Sequence, residues 1–366
     1  RGSCTACHFP HGWPDAANPT NHYPLLLVER EESLCYTCHD TNGPARADVR
    51  TPFQKAVRHP VSLAGRHSPA EGANTNAYGT ANRHAECEDC HNPHQARRGY
   101  ASPAASYTLL GVSRVVVTNG AAGTKPGYGF VPGSATNAPA EYQVCFKCHS
   151  GWTTLPAAAK DLSVVFNPTN ESFHPVEAPG RNASSYMIAS LTNGTGLPRL
   201  SVTSLITCAD CHNSEQVPLT VSLASAYTGL VARGPHGSVS NVNMSGAILR
   251  ANYKLTSSGN YSATNFALCY ICHSPTPFAT TSENTRNDTR FNWHGRHMSD
   301  FGAACTDCHN NMHGTKLALY AANTNYARLV SFGPAVTGQR LWTTNATGGS
   351  CNLTCHNDNH NPETYP

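Results

Sequence analysis

Pairs of cysteines three residues apart, each followed at once by a histidine, recur along the sequence. In one of them, Cys87-Glu-Asp-Cys90-His91, a further histidine follows at His94. This CxxCH spacing is the attachment signature of c-type haem: the two thiols add to the haem vinyl groups, and the adjacent histidine faces the iron as its proximal ligand. His94 is too close in sequence to reach the far side of the same iron. We therefore expect it to reach a neighbouring haem.

The signature uses all sixteen cysteines of the chain. A disulfide framework requires no histidine after each pair, and zinc sites built from paired CxxC motifs leave these histidines unexplained. We predict eight haem c groups. The eighth site, Cys351-Asn-Leu-Thr-Cys355-His356, carries one extra residue, and a disulfide is the alternative there. The attachment cysteines and proximal histidines are Cys4, Cys7 and His8; Cys35, Cys38 and His39; Cys87, Cys90 and His91; Cys145, Cys148 and His149; Cys208, Cys211 and His212; Cys269, Cys272 and His273; Cys305, Cys308 and His309; and Cys351, Cys355 and His356.

The composition does not favour ordinary globular domains. Glycine and proline contribute 29 and 25 of the 366 residues, and the hydrophobic fraction is 39%. Such a chain buries too little apolar surface of its own to offset its ordering entropy. We expect the porphyrins, about one per 46 residues, to form the missing core, and the chain without haem to remain unfolded. No apolar run is long enough to span a membrane, and a formal charge of +3 gives no sign of nucleic-acid binding.

The attachment sites come in pairs with a shared arrangement. An upstream histidine precedes a first CxxCH with a following histidine, and a long loop then leads to a second CxxCH. We predict four dihaem units, 1–57, 58–172, 173–290 and 291–366, with weak boundaries in one continuous module. The fold class is a mostly irregular chain wrapped around a row of haems. We expect short α-helices at the CxxCH ends and few short strands, such as Arg114 to Thr118. Long loops, for instance 95–141 and 213–265, should join them.

Histidine is the predicted sixth ligand of every iron. Beyond the eight proximal histidines twelve remain, against four methionines, so methionine cannot be the general ligand. Bis-histidine irons have no open position, which favours electron transfer over substrate chemistry. His297 has His294 as a rival, and the eighth place is open among His22, His360, His84 and His67. The predicted distal ligands are His11, His94, His236 and His313 after the first site of each unit, His59 and His174 in His-Pro-Val segments, His297, and His360 beside the last site.

The first unit lacks the upstream His-Pro-Val segment. His22 could fill this place internally, or a ligand could cross from one subunit to the next and join the haem rows end to end. The chain begins at Arg1 without a charged-then-apolar leader, which we interpret as a mature exported form. Haem attachment and the absence of spare thiols predict an extracellular or cell-surface protein, with the periplasm as the alternative.

The arrangement resembles the doubled-CxxCH multihaem cytochromes. The matching features are Cys-x-x-Cys-His-Asn-Pro-His at 87–94, Cys-x-x-Cys-His-Phe-Pro-His-Gly at 4–12 and the His-Pro-Val segments. That family includes extracellular cytochrome filaments of bacteria and archaea, in which haems stack in alternating parallel and T-shaped pairs. The resemblance implies self-association into a conducting filament, with redox proteins or extracellular electron acceptors as partners. The extra residue in the eighth motif departs from the family pattern.

Two other functions are considered. One is a discrete periplasmic or surface electron carrier. The other is an octahaem redox enzyme similar to hydroxylamine oxidoreductase or to the nitrite and tetrathionate reductases. Those reductases commonly replace one proximal histidine by lysine, and no Cys-x-x-Cys-Lys occurs in this sequence. An enzyme also needs a five-coordinate iron, whereas the spare histidines suffice to close every site.

Overall fold

A computed structural model describes most of the chain. The described residues are 3–9, 27–45, 47–62, 85–102, 104–155, 159–191, 200–219, 229–239, 246–253, 261–278, 291, 293–314, 327–344, 349–355 and 357–365.

Helices are short throughout the described ranges, and most of them carry attachment cysteines. The longest has nine residues. The α-helices are α1 (Glu31–Tyr36), α2 (Arg50–Phe53), α3 (Cys87–Cys90), α4 (Glu141–His149), α5 (Leu162–Val165), α6 (Ser185–Ser190), α7 (Cys208–Cys211) and α8 (Cys305–Cys308). Single 3₁₀ turns span Cys4–Ala6, Tyr107–Leu109, Ala263–Phe266, Cys269–Ile271, Thr276–Phe278 and Ala327–Leu329, and a π turn spans Arg296–Asp300.

The attachment helices are of two kinds. In α3, α7 and α8 the helix begins at the first cysteine, and the aspartate before the second cysteine caps it. The carboxylates of Asp89, Asp210 and Asp307 each accept the backbone N–H of the residue before the helix at 2.8 Å. This return contact satisfies an N–H that a helix start leaves without a partner. In α1 and α4, by contrast, the helix begins four residues before the first cysteine. The first cysteine is therefore the first residue of the helix in one kind and lies a full turn into it in the other.

Strands are short except at the C-terminus. They are β1 (Val57–Arg58), β2 (Tyr100–Ser102), β3 (Ala105–Ser106), β4 (Arg114–Thr118), β5 (Gly127–Val131), β6 (Gly237–Ser238), β7 (Thr337–Thr344), β8 (Gly349–Cys355) and β9 (Asp358–Tyr365). The predicted strand at 114–118 is confirmed: β4 pairs with β5 in register from Arg114–Val131 to Thr118–Gly127. The prediction of a loop over 95–141 is wrong, because this segment holds β2 to β5. The β-branched run Val115 to Val117 suits a strand, and Val115 packs with Phe146 of α4 and Trp152.

Two antiparallel contacts join segments that lie far apart in sequence. β1 pairs with β6, and the N–H of His59 donates to the carbonyl of His236. In the same way, the N–H of His174 donates to the carbonyl of His313. The glycine after each of the later histidines is required by space. A side chain at Gly237 or Gly314 would meet a backbone carbonyl oxygen at 2.1 or 1.9 Å. The repeated His-Gly dipeptide thus marks a place where two chain segments touch.

The eighth attachment site lies in a strand, so the prediction of a helix there is wrong. β8 is the central strand of a β7–β8–β9 sheet, with Trp342, Leu353 and Tyr365 buried in its cluster. Cysteines three apart share a face of a helix, whereas Cys351 and Cys355, four apart, share a face of a strand. The extra residue in this motif therefore fits the extended backbone.

The described chain has few helices, short strands and mostly coil, which confirms the predicted fold class. Its buried apolar residues form several small clusters instead of one continuous core. In the described ranges, no helix has the length and apolar character needed to cross a membrane.

Candidate haem sites

One continuous cavity runs between the described segments. It has a volume of about 3980 Å³, and every described attachment cysteine and proximal histidine lines it. Shared among eight groups it provides about 500 Å³ each, within the roughly 300–1,000 Å³ of small-molecule and cofactor sites. The space that apolar side chains would fill in an ordinary domain is thus left between the CxxCH segments, where a haem attached to each cysteine pair would enter it.

Backbone carbonyls orient the proximal histidines. The Nδ1–H of four of them donates to a carbonyl oxygen from a later segment of the chain, which leaves Nε2 available for a metal. These bonds join His39 to Ala47 (3.1 Å), His91 to Thr108 (2.9 Å), His212 to Ile248 (2.8 Å) and His309 to Leu329 (3.2 Å). Of the predicted distal ligands, His59 donates in the same way to Pro235 at 2.6 Å, His297 to Trp293 at 2.9 Å, and His174 to Met312. This is the donor set expected for haem iron.

Among the histidines that the structure describes, five pairs of rings lie about 6 Å apart. Two imidazoles on opposite sides of one metal, each with a metal–nitrogen bond of about 2 Å, have their ring centroids about 6 Å apart. The centroid distances are 5.8 Å for His8 and His94, 6.2 Å for His59 and His149, 6.2 Å for His91 and His236, 6.0 Å for His212 and His313, and 6.3 Å for His297 and His360. In the first four pairs a histidine of a CxxCH motif lies opposite a predicted distal ligand, and the spacing leaves room for an iron. The fifth pair joins two candidates for the distal place of the last haem.

The structure assigns the two rival histidines of the fourth unit to different neighbours. His294 is buried, and its charge interacts most strongly with His309, whereas the ring of His297 faces His360. His174 likewise interacts with His273 and His309. The sequence could not separate His294 from His297, because both stand upstream of the same cysteine pair.

Burial keeps the facing imidazoles uncharged. It lowers the pKa of His236, His294 and His313 to about 3, and that of His273 to about 4, with neighbouring histidines adding to the effect. A neutral imidazole is the form that binds a metal, so these histidines need not lose a proton to coordinate at neutral pH.

The attachment sites follow one another in space in chain order from the second to the eighth. At each boundary between units, the first cysteine of the site before the boundary contacts the first cysteine of the site after it. The pairs are Cys35 with Cys87, Cys145 with Cys208, and Cys269 with Cys305. The sulfur atoms of the first two pairs lie within 4.8 Å. Inside the second, third and fourth units the second cysteine of the first site interacts with a cysteine of the second site. This partner is the first cysteine of its site in the pairs Cys90–Cys145 and Cys308–Cys351, and the second in the pair Cys211–Cys272. Haems attached at these positions would therefore be neighbours in the order of the chain.

Several predicted site residues lie outside the described residues. They are the proximal ligand His356, the distal candidate His11, and the open alternatives His22, His67 and His84. Sequence reasoning missed four charged side chains at the junctions between sites: Glu31, Glu141, Lys147 and Arg250. The recoverable signal was the glutamate four residues before the cysteine pair at both Cys35 and Cys145.

Comparison with known families agrees with this geometry. Residues 1–44 match the family model of the doubled CXXCH motif. The match supports a multihaem c-type cytochrome. Haem c is attached to such cytochromes outside the cytoplasm, and their general role is electron transfer. No curated protein and no solved structure matches the chain. The matched segment contains the first two attachment sites, at Cys4 to His8 and at Cys35 to His39.

Proposed function

We propose that the chain is an octahaem c-type cytochrome that conducts electrons along a row of bis-histidine haems, as the subunit of an extracellular filament. The observation that supports this most is the unbroken sequence of attachment sites along one cavity, with histidines available on both sides. The haem irons, when bound, accept and release single electrons. The chain would hold each haem by two cysteines and enclose it in the cavity, and at four sites a backbone carbonyl orients the proximal imidazole.

The ligand assignment follows one rule. The histidine after the first site of each unit completes the first haem of the preceding unit, so His94, His236 and His313 face His8, His91 and His212. The upstream histidine completes the second haem of its own unit, as in the facing of His59 and His149. By the same rule His174 completes the haem of His273. In the fourth unit His294 is the distal ligand of the haem of His309, and His297 or His360 is the distal ligand of the last haem.

A haem count tests the first part of the proposal. The pyridine haemochrome assay on purified protein, with intact mass, is expected to return eight haems per polypeptide. The double variant Cys351→Ser and Cys355→Ser should return seven. A wild-type count of seven, with Cys351 and Cys355 joined as a disulfide, would contradict the octahaem proposal.

Filament formation depends on whether a neighbouring subunit supplies histidine ligands to some of the irons. His11 stands in the same His-Gly setting as His236 and His313. By the rule it completes the first haem of the unit that precedes it. In a polymer this is the haem of His309 in the neighbouring subunit, where His11 would take the place that His294 holds in the isolated subunit. The haem of His39 then takes its second ligand either from His22 or from that neighbour.

Electron microscopy of purified protein is expected to show filaments in the wild type and none in the variant His11→Ala. The matched variant His22→Ala separates the alternatives. If His22 is an internal ligand, its loss changes the absorption spectrum of the isolated subunit, whereas the loss of His11 leaves that spectrum unchanged. A monomeric wild type that carries eight six-coordinate haems would favour the discrete carrier. Carbon monoxide binding by the reduced wild type would favour the enzyme.

A further inference from the structure

Two glutamates join consecutive attachment sites across unit boundaries. Between the second and third sites, Glu31 accepts a hydrogen bond from the backbone N–H of Glu88 at 2.7 Å. Between the fourth and fifth sites, Glu141 accepts one from the N–H of Ala209 at 2.7 Å. Each glutamate is the first residue of its helix, four positions before its own cysteine pair. Each N–H belongs to the residue after the first cysteine of the next pair.

These bonds fasten two helices at the point where two haems would meet. Helices α3 and α7 have a single turn, so their first N–H groups have no partner inside the helix. The aspartates Asp89 and Asp210 take one of these groups, and the glutamate of the preceding unit takes another. The carboxylate oxygen of Glu141 and the sulfur atoms of Cys145 and Cys208 all lie within 4.8 Å. The glutamate would therefore lie beside the thioether bonds of both haems.

The junctions inside units carry a buried cation instead. Between the third and fourth sites, Nζ of Lys147 donates to the carbonyl of Asp89 at 2.5 Å. Between the fifth and sixth, Nη1 of Arg250 donates to the carbonyl of Asp210 at 3.5 Å. Both side chains are only 2% exposed. Burying a charge is costly, and a lysine inside a CxxCH motif has no role in haem attachment, so these cations require another explanation.

We propose that Glu31, Lys147, Glu141 and Arg250 are positioning residues that hold consecutive haems together and, through their alternating sign, level the reduction potentials along the row. The third, fourth and fifth haems would each lie between one glutamate and one cation. Burial raises the pKa of Glu31 to about 8 and that of Glu141 to about 7, so the alternation of charge is complete only in alkaline solution. A nearby anion disfavours an added electron and a nearby cation favours it, and both act strongly at short range in a buried site. Since each interior haem has one of each, none becomes a trap for the electron. This inference rests on the proposed octahaem conduit.

The third boundary between units provides a control within the same chain. The position four residues before Cys269 is Asn265, and the hydroxyl groups of Tyr261 and Tyr270 lie 2.7 Å apart beside this junction. Cys269 and Cys305 still meet there. A substitution at Asn265 therefore probes the same place in the repeat without removing a charge.

The test uses haem-loaded protein of the wild type and of Glu141→Gln, Glu141→Ala, Lys147→Met and Asn265→Ala. The haem content of each is measured first. Reductive titration is then followed by absorbance in alkaline buffer, where Glu141 is ionised, and the Soret circular dichroism reports how closely the haems couple. For Glu141→Gln we expect an upward shift in the potentials of the two flanking haems with the Soret couplet intact, because the amide oxygen still accepts the N–H. Lys147→Met should shift potentials downward. Glu141→Ala should also weaken the couplet, and Asn265→Ala should change neither signal.

The outcomes separate this inference from the octahaem proposal. A wild type with fewer than eight haems contradicts the proposed function itself. Eight haems with superimposable titrations for the wild type and Glu141→Gln, or shifts of the same sign for Glu141→Gln and Lys147→Met, would overturn the alternating charges. If Glu141→Ala loses haem, the Glu141→Gln titration still decides the question, because that variant keeps the hydrogen bond.

Discussion

The variant His236→Ala is expected to leave one iron in eight open to external ligands. The ring of His236 lies 6.2 Å from that of His91, and no other described histidine ring faces His91 at such a distance. Under the proposed pairing His236 comes from the next unit, so shortening it would remove the sixth ligand of the haem attached at Cys87 and Cys90 and leave that haem's covalent attachment unchanged. The reduced variant should bind carbon monoxide at one haem and show a high-spin signal that the wild type lacks.

The variant His236→Met serves as the matched control. A thioether can bind haem iron and raises its reduction potential. This variant should therefore regain a six-coordinate low-spin iron that does not bind carbon monoxide. A His236→Ala protein that stays fully low-spin and binds no carbon monoxide would contradict the pairing of His236 with His91. It would also contradict the rule by which His94 and His313 are assigned.

Without haem attachment the chain is expected to lose its cooperative tertiary fold. The cavity of about 3980 Å³ is lined by the very segments that would have to pack against one another, and the apolar clusters are small and separate. Apolar clusters of this kind cannot offset the ordering entropy of so irregular a backbone. Protein exported by a host that lacks haem attachment should show no near-ultraviolet circular dichroism, no cooperative thermal unfolding and rapid proteolysis.

The same chain from a host that attaches haem is the control, and it should unfold cooperatively and resist protease. One segment of the chain without haem could still keep local structure. The β4–β5 hairpin packs on α4 through Val115 and Phe146, so it is the segment best placed to keep residual structure. A haem-free chain that unfolds cooperatively as a whole would mean that the polypeptide has a sufficient core of its own.

The sequence identified the candidate haem-attachment residues more completely than the secondary structure around them. The CxxCH spacing is a covalent requirement, so it identifies attachment residues wherever they lie in the fold. The coil-rich class followed from glycine and proline content, and the strand at Arg114 to Thr118 from its β-branched run. The three-stranded sheet around Cys351 escaped prediction because its strands carry mixed polar residues with little alternation, and their pairing depends on Trp342 and Tyr365 closing over Leu353.

Which histidine faces which could not be read from the sequence. Each candidate pair joins residues far apart in the chain, such as His212 and His313, and their approach depends on short backbone contacts like that of β1 with β6. The repeated His-Gly dipeptide can be seen in the sequence, but the close backbone contact that requires the glycine cannot. The carbonyl oxygens that exclude a side chain at Gly237 and Gly314 come from Pro52 and Val165, which have no sequence signature.

The proposed pairing of histidines from consecutive units has a consequence for how the protein matures. If the polypeptide leaves the cytoplasm amino end first, the iron of the haem attached at Cys4 and Cys7 would lack its second ligand until residue 94 has emerged. By the same pairing, the haem at Cys87 would wait for residue 236, and the haem at Cys208 for residue 313. Each unit would thus remain chemically unfinished and reactive towards small ligands until its successor arrives, and a chain released early would carry one exposed iron at its growing end.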